Sequence, residues 1–354
     1  MSTYFKRQLP PLSTTLLTIT AGFIFALNAH AQTGATAYPT KPIKLIAPVA
    51  AGGGLDNLAR KVAERLSKNL GQTIIIENMG GGGGTIASQY VAKAAPDGYT
   101  LLVSYVATHG TNPAVRKLPY DAIKDFTAIG MIGATPNALV INPELPIKNF
   151  KEFIDYAKKN PDKISYGSAG PGTLTHLGME QLKLAAGISM VHVPYRGVGP
   201  AYTDLLAGQT QAMLPTLFAA MPYLNTNRVR GLAITGAKRN PAAPNIPTFK
   251  ELGYNGFDGQ QWYGIVGPAN LPPAIVKKLN SELNKALALP DFSEKMTSEA
   301  MTLMPMSPQQ FENYIKEVEE NILGSSEFPI EGQEEVTYLN CRFLKITNLF
   351  LCPN

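Results

Sequence analysis

The sequence predicts an α/β protein built as two lobes, and three observations carry that prediction. Its 354 residues allow two domains of about 150 residues, each large enough for its own core. Apolar residues make up 45% and charged residues 16%, a balance that favours a packed chain over a disordered one. Strand, glycine loop and helix recur in that order near the start of the body and again in its middle. That grammar implies parallel strands joined by right-handed crossovers.

The first 31 residues read as a secretory signal peptide with cleavage before Gln32. Lys6 and Arg7 open it, an apolar stretch runs from Leu16 to Leu27, and Ala29, His30 and Ala31 form the small-residue pattern. The apolar run falls short of the about 20 residues that a membrane anchor needs. Gln32 rather than a cysteine stands directly after the cleavage point, so no lipid anchor is expected there. Removing Lys6 and Arg7 takes the net charge from +5 to +3, and the remaining Lys and Arg form no run or stripe, which sets nucleic acid aside as a partner. Cys341 and Cys352 are the only cysteines, so the body is expected to fold without disulfides, in keeping with a periplasmic location.

The body opens with an apolar run from Ile43 to Val49, read as a strand, and a glycine loop from Ala50 to Gly54. Leu55, Leu58, Ala59, Val62, Leu66 and Leu70 then follow helical spacing. A strand from Thr73 to Glu77, a loop from Asn78 to Gly84, a helix from Thr85 to Ala95 and a strand from Thr100 to Ser104 repeat the pattern. The middle block gives a strand from Ile164 to Ser168, a loop from Ala169 to Thr173 and a helix from Thr175 to Ala186. After it come a strand from Met190 to Val193, a loop from Pro194 to Gly199 and a helix from Ala201 to Ala207. Loop-rich stretches at Ile141 to Pro146 and Asn255 to Gly259 are the expected crossings. They place residues 38–140 and 259–323 in lobe 1 and residues 141–258 in lobe 2. A strand from Tyr263 to Val266 and a helix carrying Ile275, Leu279, Leu283 and Leu287 return the chain to lobe 1. A last amphipathic helix starts at Pro308 with Phe311, Ile315, Val318 and Ile322 on one face. Residues 324–354 change character and form an atypical tail.

Three of the glycine loops, Ala50 to Gly54, Ala169 to Thr173 and Pro194 to Gly199, join a strand to a helix. Such loops present unpaired amides at the positive end of a helix dipole, which suits an anion, although each alone also fits an ordinary tight turn. The pentaglycine Gly80 to Gly84 is followed by Thr85 and Ile86, so it matches neither a dinucleotide fingerprint nor a phosphate loop, and no cofactor is expected. Ser168 lies in YGSAG without the spacing of a nucleophile elbow. His109, His176 and His192 show no metal-ligand spacing, so no metal is expected. Asp56 and Asp204 are read as lying near helix starts, where a carboxylate either caps the helix or touches a ligand.

The stretches APVAAGGGLDNLAR, PDGYTLLVS, NPAVRKLPYDAIKDFTAIGMI, ISYGSAGPGTLTHLGMEQL, VHVPYRGVGPAYTDLLAGQTQAM and RGLAITGAKRNPAAPNIPTFKELGY together resemble the Bug-type receptors of tripartite tricarboxylate transporters, from about Tyr38 to Ile322. The resemblance implies a type II periplasmic-binding-protein fold, two α/β lobes joined by two crossing strands with the ligand cleft between them. It implies a receptor rather than an enzyme, its partners being a small mono- or dicarboxylate and the membrane permease subunits, with the chain itself a monomer. One ligand carboxylate would be held by the loops carrying Val49, Ala50, Ala51, Gly52 and Gly53, then Ser168, Ala169, Gly170, Gly172 and Thr173, then Pro194, Tyr195 and Gly197. Tyr105, Thr108, His109, Thr216 and Trp262 are the candidates for reading the rest of the ligand, with packing between the lobes the alternative reading of Trp262. A ligand-binding module that acts on a membrane sensor is the competing reading. The chain departs from the family at Val49, Ala50 and Ala51, and again from Gly324 onward.

Overall fold

The computed structural model describes residues 38–324. The expected signal segment, both cysteines and the tail beyond Gly324 lie outside the described residues. The chain runs through β1 (Ile43–Ala47), α1 (Gly54–Leu70), β2 (Ile74–Asn78), α2 (Thr85–Ala92), β3 (Thr100–Tyr105), the short α3 (Asn112–Val115) and β4 (Phe126–Pro136). Next come β5 (Ala138–Ile141), α4 (Phe150–Lys159), β6 (Ser165–Ser168), α5 (Leu174–Ala186), β7 (Val191–Pro194), α6 (Val198–Leu206), β8 (Ala212–Met213), α7 (Leu217–Leu224) and β9 (Arg230–Ile234). It closes with β10 (Gln260–Pro268), α8 (Pro273–Leu287), α9 (Pro290–Ser298), β11 (Thr302–Leu303) and α10 (Pro308–Gly324).

Among the described residues the strands form two sheets, ordered β11-β4-β10-β3-β1-β2 and β7-β6-β8-β5-β9. In the first, β1 pairs in parallel with β2 and β3, as strand-helix-strand connections require. The other half is antiparallel: β10 pairs with β3 and β4, and β11 with β4. The sheet is therefore mixed, not wholly parallel. Strand β4 escapes a sequence reading because it is buried from Ile129 to Pro136 on both faces, so no apolar-polar alternation marks it.

The first crossing lies at Asn137, not over Ile141 to Pro146, because Ala138–Ile141 already pairs with β8 and β9 in the second sheet. Thr235 ties the two crossings together. Its hydroxyl accepts the Asn137 N–H at 2.9 Å and donates to the Gly259 carbonyl at 2.8 Å. One face of the first sheet is sealed by α10, whose Phe311 and Ile315 are buried in a core with Ile46, Leu102, Trp262 and Val266. The second sheet carries its own core around Phe153, Tyr166, Leu182 and Phe249.

Candidate functional site

The loops that follow β1, β2, β6 and β7 meet between the two sheets. Ala50 N–H donates to the Arg196 carbonyl at 2.9 Å, and Thr111 Oγ1 donates to the Gly172 carbonyl at 2.7 Å, so the lobes stand closed on each other. A Cβ on Gly199 would lie 2.3 Å from the Ala51 carbonyl oxygen, and one on Gly80 would lie 2.6 Å from the Arg196 carbonyl oxygen. Two backbones touch there, which only glycine permits. The pentaglycine thus belongs to the interlobe surface rather than to a nucleotide site. Asn112 and Tyr105 donate to the Gly83 carbonyl at 2.9 and 3.0 Å, and Arg116 donates to the Gly82 carbonyl.

These loops enclose a cavity of about 40 Å³. That exceeds the roughly 10–15 Å³ needed by one water. Val49, Gly54 and Leu55 line it at the start of α1, Ala169, Thr173 and Thr175 at the start of α5, Val198 at α6 and Thr216 at α7. Tyr105, Gln261 and Tyr263 close it from β3 and β10. Among the described residues, no charged side chain lines it. Four helix N-termini therefore share one small space. No side chain caps α1, α5 or α6, whereas α7 is capped by Thr216, which accepts from Ala219 N–H at 3.2 Å, and by Thr135, which accepts from Phe218 N–H at 3.3 Å. His176 N–H donates to the Thr173 carbonyl at 2.9 Å and Pro200 has no N–H, but the earliest amides of these helices lack a helical acceptor, so three positive dipole ends suit an anion without any cationic side chain.

Several expected ligand amides are committed elsewhere. Gly52 N–H goes to Asp56, Gly170 N–H to Ser168 Oγ at 3.1 Å, Gly172 N–H to His176 Nδ1 at 3.4 Å, and Ala169 N–H to Thr175 Oγ1 at 2.8 Å. Ala50 N–H is spent across the lobes, and Pro194 has no N–H to give. The donors left to the cavity belong to the helix starts, beyond the N-caps Gly53, Thr173 and Gly197. Thr173 braces its own loop, donating to the Gly170 carbonyl at 2.7 Å.

Four side-chain expectations are corrected. Trp262 faces away from the cavity, edge-on to Phe311 and Tyr314, because β10 alternates: Gln261 and Tyr263 point to the cavity and the residue between them to the core. Thr108 and His109 sit inside the wide turn Ala107–Thr111. Thr108 Oγ1 bonds the Tyr105 backbone, while His109 packs edge-on to Phe126, where burial pushes its pKa down to about 3. From that turn it is Thr111 that reaches the other lobe, a pairing across 61 residues that local pattern cannot show. Asp204 lies in the last turn of α6, not near its start, because the helix begins at Val198; it accepts from the Tyr195 hydroxyl.

Asp56 is buried at the start of α1, where its carboxylate accepts from Gly52 N–H and Asn78 Nδ2, both at 2.9 Å, and pairs with Arg60 at 3.0 Å. It shapes the first glycine loop. Burial alone would raise its pKa, but the Gly52 amide, Arg60 and Asn78 together hold it below the ordinary carboxylate value. A depressed folded pKa contributes stability that is present above the unfolded value and lost as pH falls through the folded one. Asp56→Asn is expected to cost on the order of 2 kcal/mol at pH 7. In urea unfolding, that difference from wild type should shrink once the pH drops below the model-peptide range of about 4.

The family model for the TctC receptor of the tripartite tricarboxylate transporter family matches residues 58–322. The chain belongs to that family. Its members are solute-binding receptors, not enzymes. Among solved structures, the periplasmic binding protein BugD is 36% identical with a TM-score of 0.77, over 80% of this chain and 95% of its own. An R. palustris protein solved with adipate is 34% identical with a TM-score of 0.77, again over 80% and 95%. MatC from Rhodopseudomonas palustris, with bound malate, is 31% identical with a TM-score of 0.76, over 86% of this chain and all of its own. The receptor therefore has the periplasmic-binding-protein fold.

Proposed function

We propose that this receptor works outside the cytoplasm, closing its two lobes on a small mono- or dicarboxylate and delivering it to the membrane permease of a tripartite tricarboxylate transporter. The observation that carries the reading is the convergence of three uncapped helix N-termini on one cavity without a charged side chain. Relatives solved with adipate and with malate support the ligand class. A charge-assisted hydrogen bond contributes about 1.5–3 kcal/mol, and micromolar affinity needs about 8 kcal/mol. Four such bonds reach that figure before ordering costs, so main-chain donors suffice without an arginine clamp. Because the loops of both lobes meet at the cavity, a ligand there touches both and favours the closed state.

A thermal-shift screen of the mature receptor against small carboxylates tests this. A carboxylate at 100 times its dissociation constant adds about 2.7 kcal/mol of stability. Deleting the gene should abolish uptake of the same carboxylate. No shift with any carboxylate overturns the ligand class, and unchanged uptake overturns the transport role.

A further inference from the structure

Behind the loop between β6 and α5 lies a stack of three rings. Tyr166 and His192 are register partners on the parallel strands β6 and β7, and their rings stack at 5.0 Å and 16°. His176, in the first turn of α5, stacks on the other side of His192 at 4.2 Å and 21°. Each imidazole is tied to the loop. His176 Nδ1 accepts the Gly172 N–H, and His192 Nε2 lies 2.6 Å from Ser168 Oγ, which itself accepts the Gly170 N–H.

We infer that His176 and His192 are positioning residues for the anion site, a neutral pair of acceptors that fixes the loop before α5 and so aims the uncapped start of that helix into the cavity. The inference rests on the proposed carboxylate reading. Its chemistry follows from which atoms can accept. Nδ1 of His176 receives an N–H only when it carries no proton. Ser168, already accepting from Gly170, has its own hydroxyl proton free to pass to an unprotonated Nε2 of His192. The chain of bonds thus runs from backbone to hydroxyl to ring, and a neutral His192 with Nε2 unprotonated lets the Ser168 hydroxyl donate along it.

The surroundings favour that state. Tyr166, Glu180 and Lys183 are the titratable groups around the stack; Glu180 accepts from the Tyr166 hydroxyl and pairs with Lys183 at 2.8 Å, so its charge is already engaged. Burial, and then the neighbouring His176, push His192 down to about 4, and burial lowers His176 as well. Stacked rings at this distance resist a double positive charge. The downward shifts favour the neutral ring in each, against the raising pull of Glu180, and both histidines act on the ligand through the backbone they hold.

The test uses isosteric rescue. In unliganded protein, amide hydrogen exchange is followed at Gly170 and Gly172, and malate binding is measured by calorimetry. His176→Leu should speed exchange at Gly172 at least tenfold, and His192→Leu should do so at Gly170. His176→Asn keeps an acceptor at the Nδ1 position and His192→Gln keeps one at the Nε2 position, so both should return exchange to within about threefold of wild type. Malate dissociation constants should follow the same order, rising about tenfold in the leucine variants. Leucine variants with wild-type exchange, or with wild-type malate affinity despite faster exchange, overturn the inference. So does failure of Asn and Gln to rescue. If malate does not bind the wild type, that failure concerns the proposed ligand, and the exchange comparison alone decides the role of the histidines.

Discussion

Gly199→Ala is expected to raise the dissociation constant for the proposed carboxylate ligand roughly 100-fold, which corresponds to about 2.7 kcal/mol. Residue 199 is the second residue of α6, and the nearest obstacles to a side chain there belong to the other lobe: its Cβ would stand 2.3 Å from the Ala51 carbonyl oxygen and 3.2 Å from the Gly52 carbonyl carbon. Lobe 2 itself loses nothing, since alanine favours a helix over glycine by up to about 1 kcal/mol. The variant should therefore melt like the wild type without ligand yet scatter X-rays as a more open particle. Apparent affinity falls because the apparent dissociation constant is the intrinsic one divided by the fraction of molecules able to close. A variant that binds as tightly as wild type would show that the closed approach of α6 to the first loop is not the liganded geometry.

Phe311→Ala should destabilise the receptor by about 3–5 kcal/mol, the usual cost of deleting a buried phenyl ring. The Phe311 ring is fully buried against β10, edge-on to Trp262, and it sits over Gly264, where a Cβ would lie 2.1 Å from its Cζ. Ring and glycine form one fitted contact that holds α10 to the first sheet. Removing the ring leaves a void beside the only tryptophan in the chain. Urea unfolding should thus show a lower midpoint, and tryptophan emission should move to the red as Trp262 becomes solvated. An unchanged midpoint would mean that α10 contributes little to the first sheet.

The elements read from sequence and those that needed the fold differ in a physical way. The helical stripe from Leu55 to Leu70 and the face carrying Phe311 and Ile315 are written in residue spacing, because one buried side imposes one period. The glycine loops were legible for a similar reason, since a strand that turns at once into a helix needs small residues at the turn. Strand β4 was not legible, since burial on both faces erases the period. The crossing at Asn137 was missed because the break between sheets falls at a single residue with no loop to mark it.

The site divides along the same line. The sequence by itself determined that glycine loops lead into helices and therefore that main-chain donors were on offer; its Lys and Arg are scattered, and its histidines and glycines follow no metal-ligand or cofactor-loop spacing. Only the tertiary structure decided which donors remain. Gly52, Ala169, Gly170 and Gly172 spend theirs on side chains up to six residues away, Ala50 spends its own on the opposite lobe, and the starts of α1, α5 and α6 are left uncapped. It also decided that Gln261 and Tyr263 face the cavity while Trp262 does not. A hydrogen bond is settled by where its partner stands in space, and a sequence states only where that partner stands along the chain.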